Sequence, residues 1–324
     1  MRIIVYGAGA IGGVLGARLA LASYDVALVA RGAHLDAVRA DGLTLRSADG
    51  DQVVRLPASD TVADLSPGAD SVVLLAVKSH QTAAALDDLV EHVPQDATIV
   101  CVQNGVANEA ACLRLFPHVL AVTVMMPTTH LEPGVVVQNS HPVPGLLDLG
   151  RFPGGRDERC EPVAAAFRAA GFESVVRDDA MAWKHRKLLM NLGNAAQACF
   201  ADDDDRATLV ARVREEGERV LATAGIAVTS AADDAARRGD LLTDSGVGPR
   251  SGGSTWQSLA RGQGSVETDY LNGEVSLLGR LHGVPTPAND VVRVVMAEQV
   301  RAGARPGARR AGDLLALLDA PVSR

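Results

Sequence analysis

Met1-Arg2-Ile3-Ile4-Val5-Tyr6-Gly7-Ala8-Gly9-Ala10-Ile11-Gly12-Gly13-Val14-Leu15 opens the chain. A short apolar run stops at Gly7-x-Gly9-x-x-Gly12, and a helical apolar pattern follows through Val14, Leu15, Ala17, Leu19 and Ala20. Strand, tight turn and helix in that order are the start of a dinucleotide-binding βαβ unit. The first glycine permits the turn, the second lets the backbone approach a pyrophosphate, and the third lets the helix pack on the strand. The free N–H groups of the helix start face the phosphates. A glycine pattern of this kind is weak by itself and strong where it directly follows a strand and opens a helix. The reading places Gly7, Ala8, Gly9, Ala10, Ile11 and Gly12 on the cofactor.

Working outward, Tyr24–Ala30 reads as a second strand with the apolar continuity of a parallel strand covered on both faces. Arg31 stands where an NAD-binding fold usually has an acidic residue on the ribose 2′-hydroxyl. An arginine there suits a 2′-phosphate, so NADPH is expected over NADH; a solvated surface arginine is the alternative. Strands are predicted at 71–77, 98–102 and 119–124. Lys78 and Gln103-Asn104-Gly105 fall at the carboxyl ends of the first two, the edge where open α/β sheets bind ligands. Lys78 is a candidate point charge for a cofactor phosphate. Asn104, donor and acceptor at once, is a candidate bridge between cofactor and substrate, and also suits a turn before Gly105. Residues 43–46 and 53–56 read as a hairpin inserted in this domain. Segments 135–137 and 146–149 read as extensions of the sheet, 174–176 as the strand that closes the region, and His130 as structural.

Near residue 178 the strand patterns stop and helical ones take over: 181–200, 207–224, 233–242, 267–282, 289–301 and 313–318, with 244–253 a glycine- and serine-rich loop. The expected fold class is α/β plus all-α, with domains 1–178 and 179–324. Lys184, Lys187, Asn191 and Asn194 follow three-and-four spacing on one predicted face, which is either the lining of a polar cleft or a solvated stripe. The chain has 28 arginines and only three lysines, Lys78, Lys184 and Lys187. Lysine is a compact ammonium able to give up a proton, which arginine is not. Asp202–Asp205 reads as an N-cap region; contiguous aspartates cannot converge on one ion, so no metal is expected.

With 324 residues, 47% hydrophobic and 22% charged, the chain has room for two globular domains. Aromatics at 3% and a net charge of −8 argue against a nucleic-acid partner. No run of eighteen apolar residues suggests a membrane span, and the start runs straight into a strand rather than a signal peptide. The four cysteines have neither metal nor framework spacing and read as reduced thiols of a cytoplasmic protein.

Gly7-x-Gly9-x-x-Gly12, Arg31, Val77-Lys78, Gln103-Asn104-Gly105, Thr128-Thr129-His130, Lys187-Leu188-Leu189-Met190-Asn191 and Glu267-Thr268-Asp269-Tyr270-Leu271-Asn272-Gly273 together resemble the ketopantoate reductases (2-dehydropantoate 2-reductases) over nearly the whole chain. The resemblance implies an N-terminal Rossmann NADP-binding domain and a helical C-terminal domain of the 6-phosphogluconate-dehydrogenase type. It implies NADPH-dependent reduction of ketopantoate to pantoate, in pantothenate and coenzyme A biosynthesis. By the same resemblance Arg31 and Lys78 hold the 2′-phosphate, and Asn104 lies between cofactor and substrate. Lys187 is the general acid with Glu267 beside it, and Asn191 and Ser254 bind the substrate. The family's second asparagine, eight residues after its lysine, is Ala195 here. Asn194 comes one residue early, a turn of about 100° around a helix. The serine segment also departs, reading Ser254-Thr255-Trp256-Gln257-Ser258, and Trp183 stands farther from Lys187 than the family's tryptophan does from its lysine. Two other readings stay open: a reductase for another branched or bulky 2-oxoacid, and a non-catalytic NADP(H) sensor. A lysine–carboxylate pair speaks against the sensor. The expected partner is a small 2-oxoacid, with no nucleic acid and no membrane; a homodimer is left open.

Overall fold

The computed structural model describes residues 1–247, 255–256, 259 and 267–320. In chain order the first stretch runs β1 (Arg2–Tyr6), α1 (Ala10–Leu21), β2 (Asp25–Val29), α2 (Gly32–Asp41), β3 (Leu43–Ser47), β4 (Gly50–Val54), β5 (Ala58–Ser59), β6 (Ser71–Leu75) and α3 (Thr82–His92). It continues with β7 (Thr98–Cys101), α4 (Asn108–Leu113), β8 (His118–Met125), β9 (Thr128–Thr129), β10 (Val135–Gln138), β11 (Ser140–Pro142), β12 (Leu146–Arg151) and α5 (Cys160–Ala169). Seven strands form one sheet in the order β12-β8-β7-β6-β1-β2-β5. All neighbours are parallel except the β12·β8 edge pair. The chain leaves β1 in one direction for β2 and returns to its other side for β6. That is the switch point at which a doubly wound sheet opens its crevice.

The strands are apolar throughout because both faces are covered. Ile3 and Val5 of β1 pack in one core cluster with Val14, Leu15 and Leu19 of α1. Ile4 and Tyr6 point the other way, into a cluster with Leu86 and Leu89 of α3. The 43–54 hairpin forms as expected, two strands antiparallel around Ala48-Asp49. It does not join the main sheet: it belongs to a four-stranded sheet in the order β4-β3-β10-β9. Residues 135–138 therefore do not extend the main sheet, whereas β12 does. Residues 174–176 contribute only an isolated bridge at Val176.

The later part is α6 (Ala180–Asn191), α7 (Gly193–Cys199), α8 (Asp204–Thr223), α9 (Ala231–Arg238), β13 (Leu242–Asp244), a 3-10 turn (Glu267–Tyr270), α10 (Asn272–His282), α11 (Pro287–Arg301) and α12 (Gly312–Asp319). Two compact units result: Met1–Lys184 with Thr229–Pro249, and His185–Val228 with Arg250–Arg324. The expected boundary was a single cut at 178. Residues 229–247 lie in the first unit because β13 pairs antiparallel with β11 and Arg237 grips Asp148 through two hydrogen bonds of 2.9 and 3.0 Å. In the second unit α8 packs against α7, α10, α11 and α12. Its start is capped as expected, Asp203 accepting from the Arg206 N–H. The predicted helix 181–200 is two helices, broken at Leu192. All four cysteines are free and buried. Among the described residues no helix is long and apolar enough to cross a membrane.

Candidate active site

In the first unit the crevice edge is built from three loops. Gly7 has φ +104°, and a Cβ on it would fall 2.9 Å from the Val77 backbone nitrogen; one on Gly12 would fall 2.1 Å from the Gly7 carbonyl. Gly7 N and Ala8 N both donate to Val29 O at 3.0 and 3.1 Å, closing the turn against the end of β2. A Cβ on Gly9 would meet nothing within 4 Å. No side chain caps Gly9, and the first turn of α1 holds no acidic residue. The start of α1 thus offers uncapped N–H groups beneath open space, a form and polarity that fit a diphosphate.

Arg31 is exposed at the end of β2, on the residue before α2. It approaches the Tyr6 phenol, which donates to Asp88 at 2.8 Å. Burial, then Asp88, pushes the Tyr6 pKa up to about 12, with Arg31 opposing. His34, on the first turn of α2, stacks edge-on with His130 at 4.3 Å between centroids and accepts the Gly134 N–H at 2.9 Å. Burial first, and then His130, lowers its pKa to about 4. His130 Nδ1 donates to Val135 O at 3.0 Å, a structural bond that agrees with its expected role.

Lys78 and Asn104 follow β6 and β7 at adjacent places on the edge. Ser79 Oγ and Asn108 Nδ2 reach the Asn104 carbonyl at 3.5 and 3.3 Å. Gln103 Nε2 donates to Val77 O at 2.8 Å and to Thr82 Oγ at 2.9 Å. A buried polar network thus ties the two loops together. Lys184 enters the same network. Its Nζ lies 2.6 Å from Glu109 Oε1, 2.9 Å from Gln103 O and 3.2 Å from Val122 O. The side chain is 2% exposed, and that of Glu109 0%. Lys184 was expected to share a polar face with Lys187, Asn191 and Asn194. The structure corrects this: Lys184 is sunk into the first unit with its ammonium surrounded by three protein oxygens. Trp183 is buried beside it, with the Arg177 guanidinium 3.8 Å above its ring.

Lys187 and Asn191 lie one turn apart on α6, Lys187 half-buried and Asn191 buried. Asn194 lies beyond the break, half-buried in the first turn of α7, so the four residues do not form one continuous helical stripe. Asn272 Nδ2 donates to Leu192 O at 3.0 Å and to Asn289 Oδ1 at 2.9 Å. A side chain inserted at a helical carbonyl interrupts the ladder. Asn272 is fully buried and follows the 3-10 turn that starts with Glu267. It stitches the segment carrying Glu267 to the helix carrying Lys187 and Asn191. Ser254 lies outside the described residues. No group of histidine, cysteine or carboxylate side chains able to hold a metal occurs among the described residues.

A doubly wound sheet with a glycine-lined crevice and uncapped N–H groups at the start of α1 is the form of a dinucleotide-binding domain, and comparison with known proteins makes the class a nicotinamide-dependent oxidoreductase. The chain belongs to the ketopantoate reductase PanE/ApbA family: residues 3–154 match its N-terminal signature and residues 179–299 its C-terminal one. It is 33% identical over 321 residues to the 2-dehydropantoate 2-reductase of Halobacterium salinarum, covering 95% of this chain and 100% of that protein. With the 2-dehydropantoate 2-reductase of Mesorhizobium japonicum it shares 32% over 327 residues, 90% of this chain and 95% of the relative. A PanE/ApbA family ketopantoate reductase from Ralstonia eutropha superposes with a TM-score of 0.79 at 29% identity, over 94% of this chain and 99% of that one. A D-mandelate dehydrogenase solved with NADH and anilino(oxo)acetate shares the fold at a TM-score of 0.78 and 21% identity, over 94% of this chain and 99% of that one.

Proposed function

We propose that this protein reduces ketopantoate to pantoate with NADPH as its hydride donor. The observation that carries the reading is the match along the whole chain to 2-dehydropantoate 2-reductases. Burial of Lys184 supports it further, since it leaves Lys187 as the lysine of α6 able to serve as proton donor. Arg31, in place of an acidic residue at the end of β2, supports NADPH over NADH. When bound, the cofactor supplies the hydride to the ketone carbon of the substrate. The Gly7–Gly12 turn holds the diphosphate through the uncapped N–H groups at the start of α1, and Arg31 and Lys78 hold the 2′-phosphate. Asn104 orients the reacting groups. Asn191, Asn194 and Ser254 bind the carboxylate and hydroxyl groups of the oxoacid. As negative charge grows on the ketone oxygen, the Lys187 ammonium stabilises it and transfers a proton to it. Glu267 keeps that ammonium charged and aimed.

The test is oxidation of NADPH in the presence of ketopantoate, run beside pyruvate, 2-oxoisovalerate and phenylglyoxylate, with NADH as the cofactor control. Preference for ketopantoate and NADPH is the expected result. Turnover of a different oxoacid alone would keep the mechanism and reassign the substrate to the altered text around Trp256 and Asn194. NADPH binding without turnover of any oxoacid would make the protein a sensor. Lys187→Ala separates enzyme from sensor in the same assay: the enzyme loses about 10²–10⁴ in kcat while its affinity for NADPH is retained.

A further inference from the structure

Lys184 and Glu109 form an ion pair with almost no contact with water. Removing two charges from solvent is expensive, and a pair of this kind is seldom more stabilising than apolar side chains of the same volume. What an ammonium does there that a methionine cannot is hold carbonyl oxygens. One of the two it holds, Gln103 O at 2.9 Å, belongs to the peptide that precedes Asn104. The following peptide is held through Asn104 O by Asn108 Nδ2 at 3.3 Å and Ser79 Oγ at 3.5 Å. Asn108 is itself fixed, accepting from Thr82 Oγ at 2.9 Å. The two backbone dihedrals of a residue are the rotations between its flanking peptide planes. With both planes tied down, the direction in which the Asn104 side chain leaves the sheet edge is set.

We propose that Lys184, neutralised by Glu109, is a positioning residue for the reaction: it fixes the peptide before Asn104 and thereby aims the Asn104 side chain. The inference rests on the reading of Asn104 as the group between cofactor and substrate. The two lysines of α6 then divide the work. Lys187 gives the proton, and Lys184, three residues earlier, holds the backbone. The polar network beneath the loop is the support such a site needs, because catalytic geometry is lost with displacements of about 1 Å.

The experiment is a mutant cycle on the full chain. Lys184→Met/Glu109→Leu removes both charges together, so that neither is left buried and unpaired. Thermal melting is expected within a few degrees of the wild type. The kcat for ketopantoate should fall about 10- to 100-fold, with the Kd for NADPH little changed. Asn104→Ala should fall similarly. The two changes combined should be no slower than Asn104→Ala alone, because residues that act through one another are not additive. Full activity in the Lys184→Met/Glu109→Leu protein, or losses that multiply on the Asn104→Ala background, would overturn the proposal. If the double substitution does not fold, Asn108→Ala gives the same test from the other side of Asn104 with the ion pair intact. It must lower kcat in the wild-type background and add nothing on Asn104→Ala, and unchanged kcat in it would also overturn the proposal. Wild-type turnover is measured first. Its absence with every oxoacid would remove the functional reading and this inference with it, whereas turnover accompanied by multiplying losses would remove the inference alone.

Discussion

Under the proposed function, Arg31 is the residue on which cofactor choice turns. It is exposed at the end of β2, where a guanidinium can form charge-assisted bonds to a phosphate. Such bonds contribute about 1.5–3 kcal/mol, so Arg31→Ala should raise the KM for NADPH roughly 10- to 100-fold and leave that for NADH nearly unchanged; steady-state kinetics with both cofactors checks this. His34 carries a separate prediction. Its folded pKa of about 4 lies below the ordinary value of 6.5. Between those two values the unfolded chain binds a proton that the folded one does not, so stability falls as pH drops from about 6.5 to 4. The part-exposed ring is screened, and the loss is about 1–2 kcal/mol. His34→Phe should flatten that stretch of the pH–stability curve measured by urea unfolding. Lysine scarcity pointed at three residues worth attention but did not separate their roles. Lys184 and Lys187 are alike by helical spacing; the family resemblance singles out Lys187, and the structure adds that Lys184 is buried against Glu109.

At the scale of the element, the strand–turn–helix start was fully legible, because its glycines answer to local geometry. The body of the helix at 289–301 was legible too, since apolar periodicity is a local signal. The α6–α7 break was not read, and the side chain that bonds the open carbonyl there, Asn272, is eighty residues away in the chain. The start of α11 is a similar case. Thr286 caps it with no side-chain bond. Instead Glu216, from α8, accepts the N–H groups of Ala288 and Asn289 at 2.9 and 3.0 Å and Asn289 Nδ2 at 2.8 Å. Glu216 is 6% exposed, so Glu216→Ala leaves two buried backbone N–H groups unpaired and Asn289 Nδ2 with Val213 O alone. A loss of about 2–4 kcal/mol is expected, read as a shift in the urea midpoint, with Glu216→Gln keeping part of the stability.

For the molecule as a whole, the decisive feature is that the first unit is not continuous in sequence. Asp148, on the antiparallel edge strand β12, accepts from the Val175 N–H at 3.0 Å, from Arg177 at 2.8 and 2.9 Å, and from Arg237 at 2.9 and 3.0 Å. Its side chain is only 5% exposed. Arg237 arrives after α8, from a segment that reads by composition as more of the helical domain. Arg237→Met should cost about 1.5–3 kcal/mol, because it takes two charge-assisted bonds from a buried carboxylate that retains Arg177. The expected signature is a lower melting temperature with unchanged affinity for NADPH.

The sequence by itself determined the dinucleotide-binding start, the alternation of strands and helices that follows, the switch to helical text and the resemblance to ketopantoate reductases. All of these are written in residues close together in the chain, as glycine spacing, apolar period and short motifs. The tertiary structure decided which strands share a sheet, where the first unit ends, where α6 breaks and which lysine of that helix is buried. Those outcomes depend on partners distant in sequence: Asn272 for Leu192, Arg237 for Asp148 and Glu109 for Lys184. A buried charge or an open carbonyl takes whichever partner the fold delivers, and no local pattern names it.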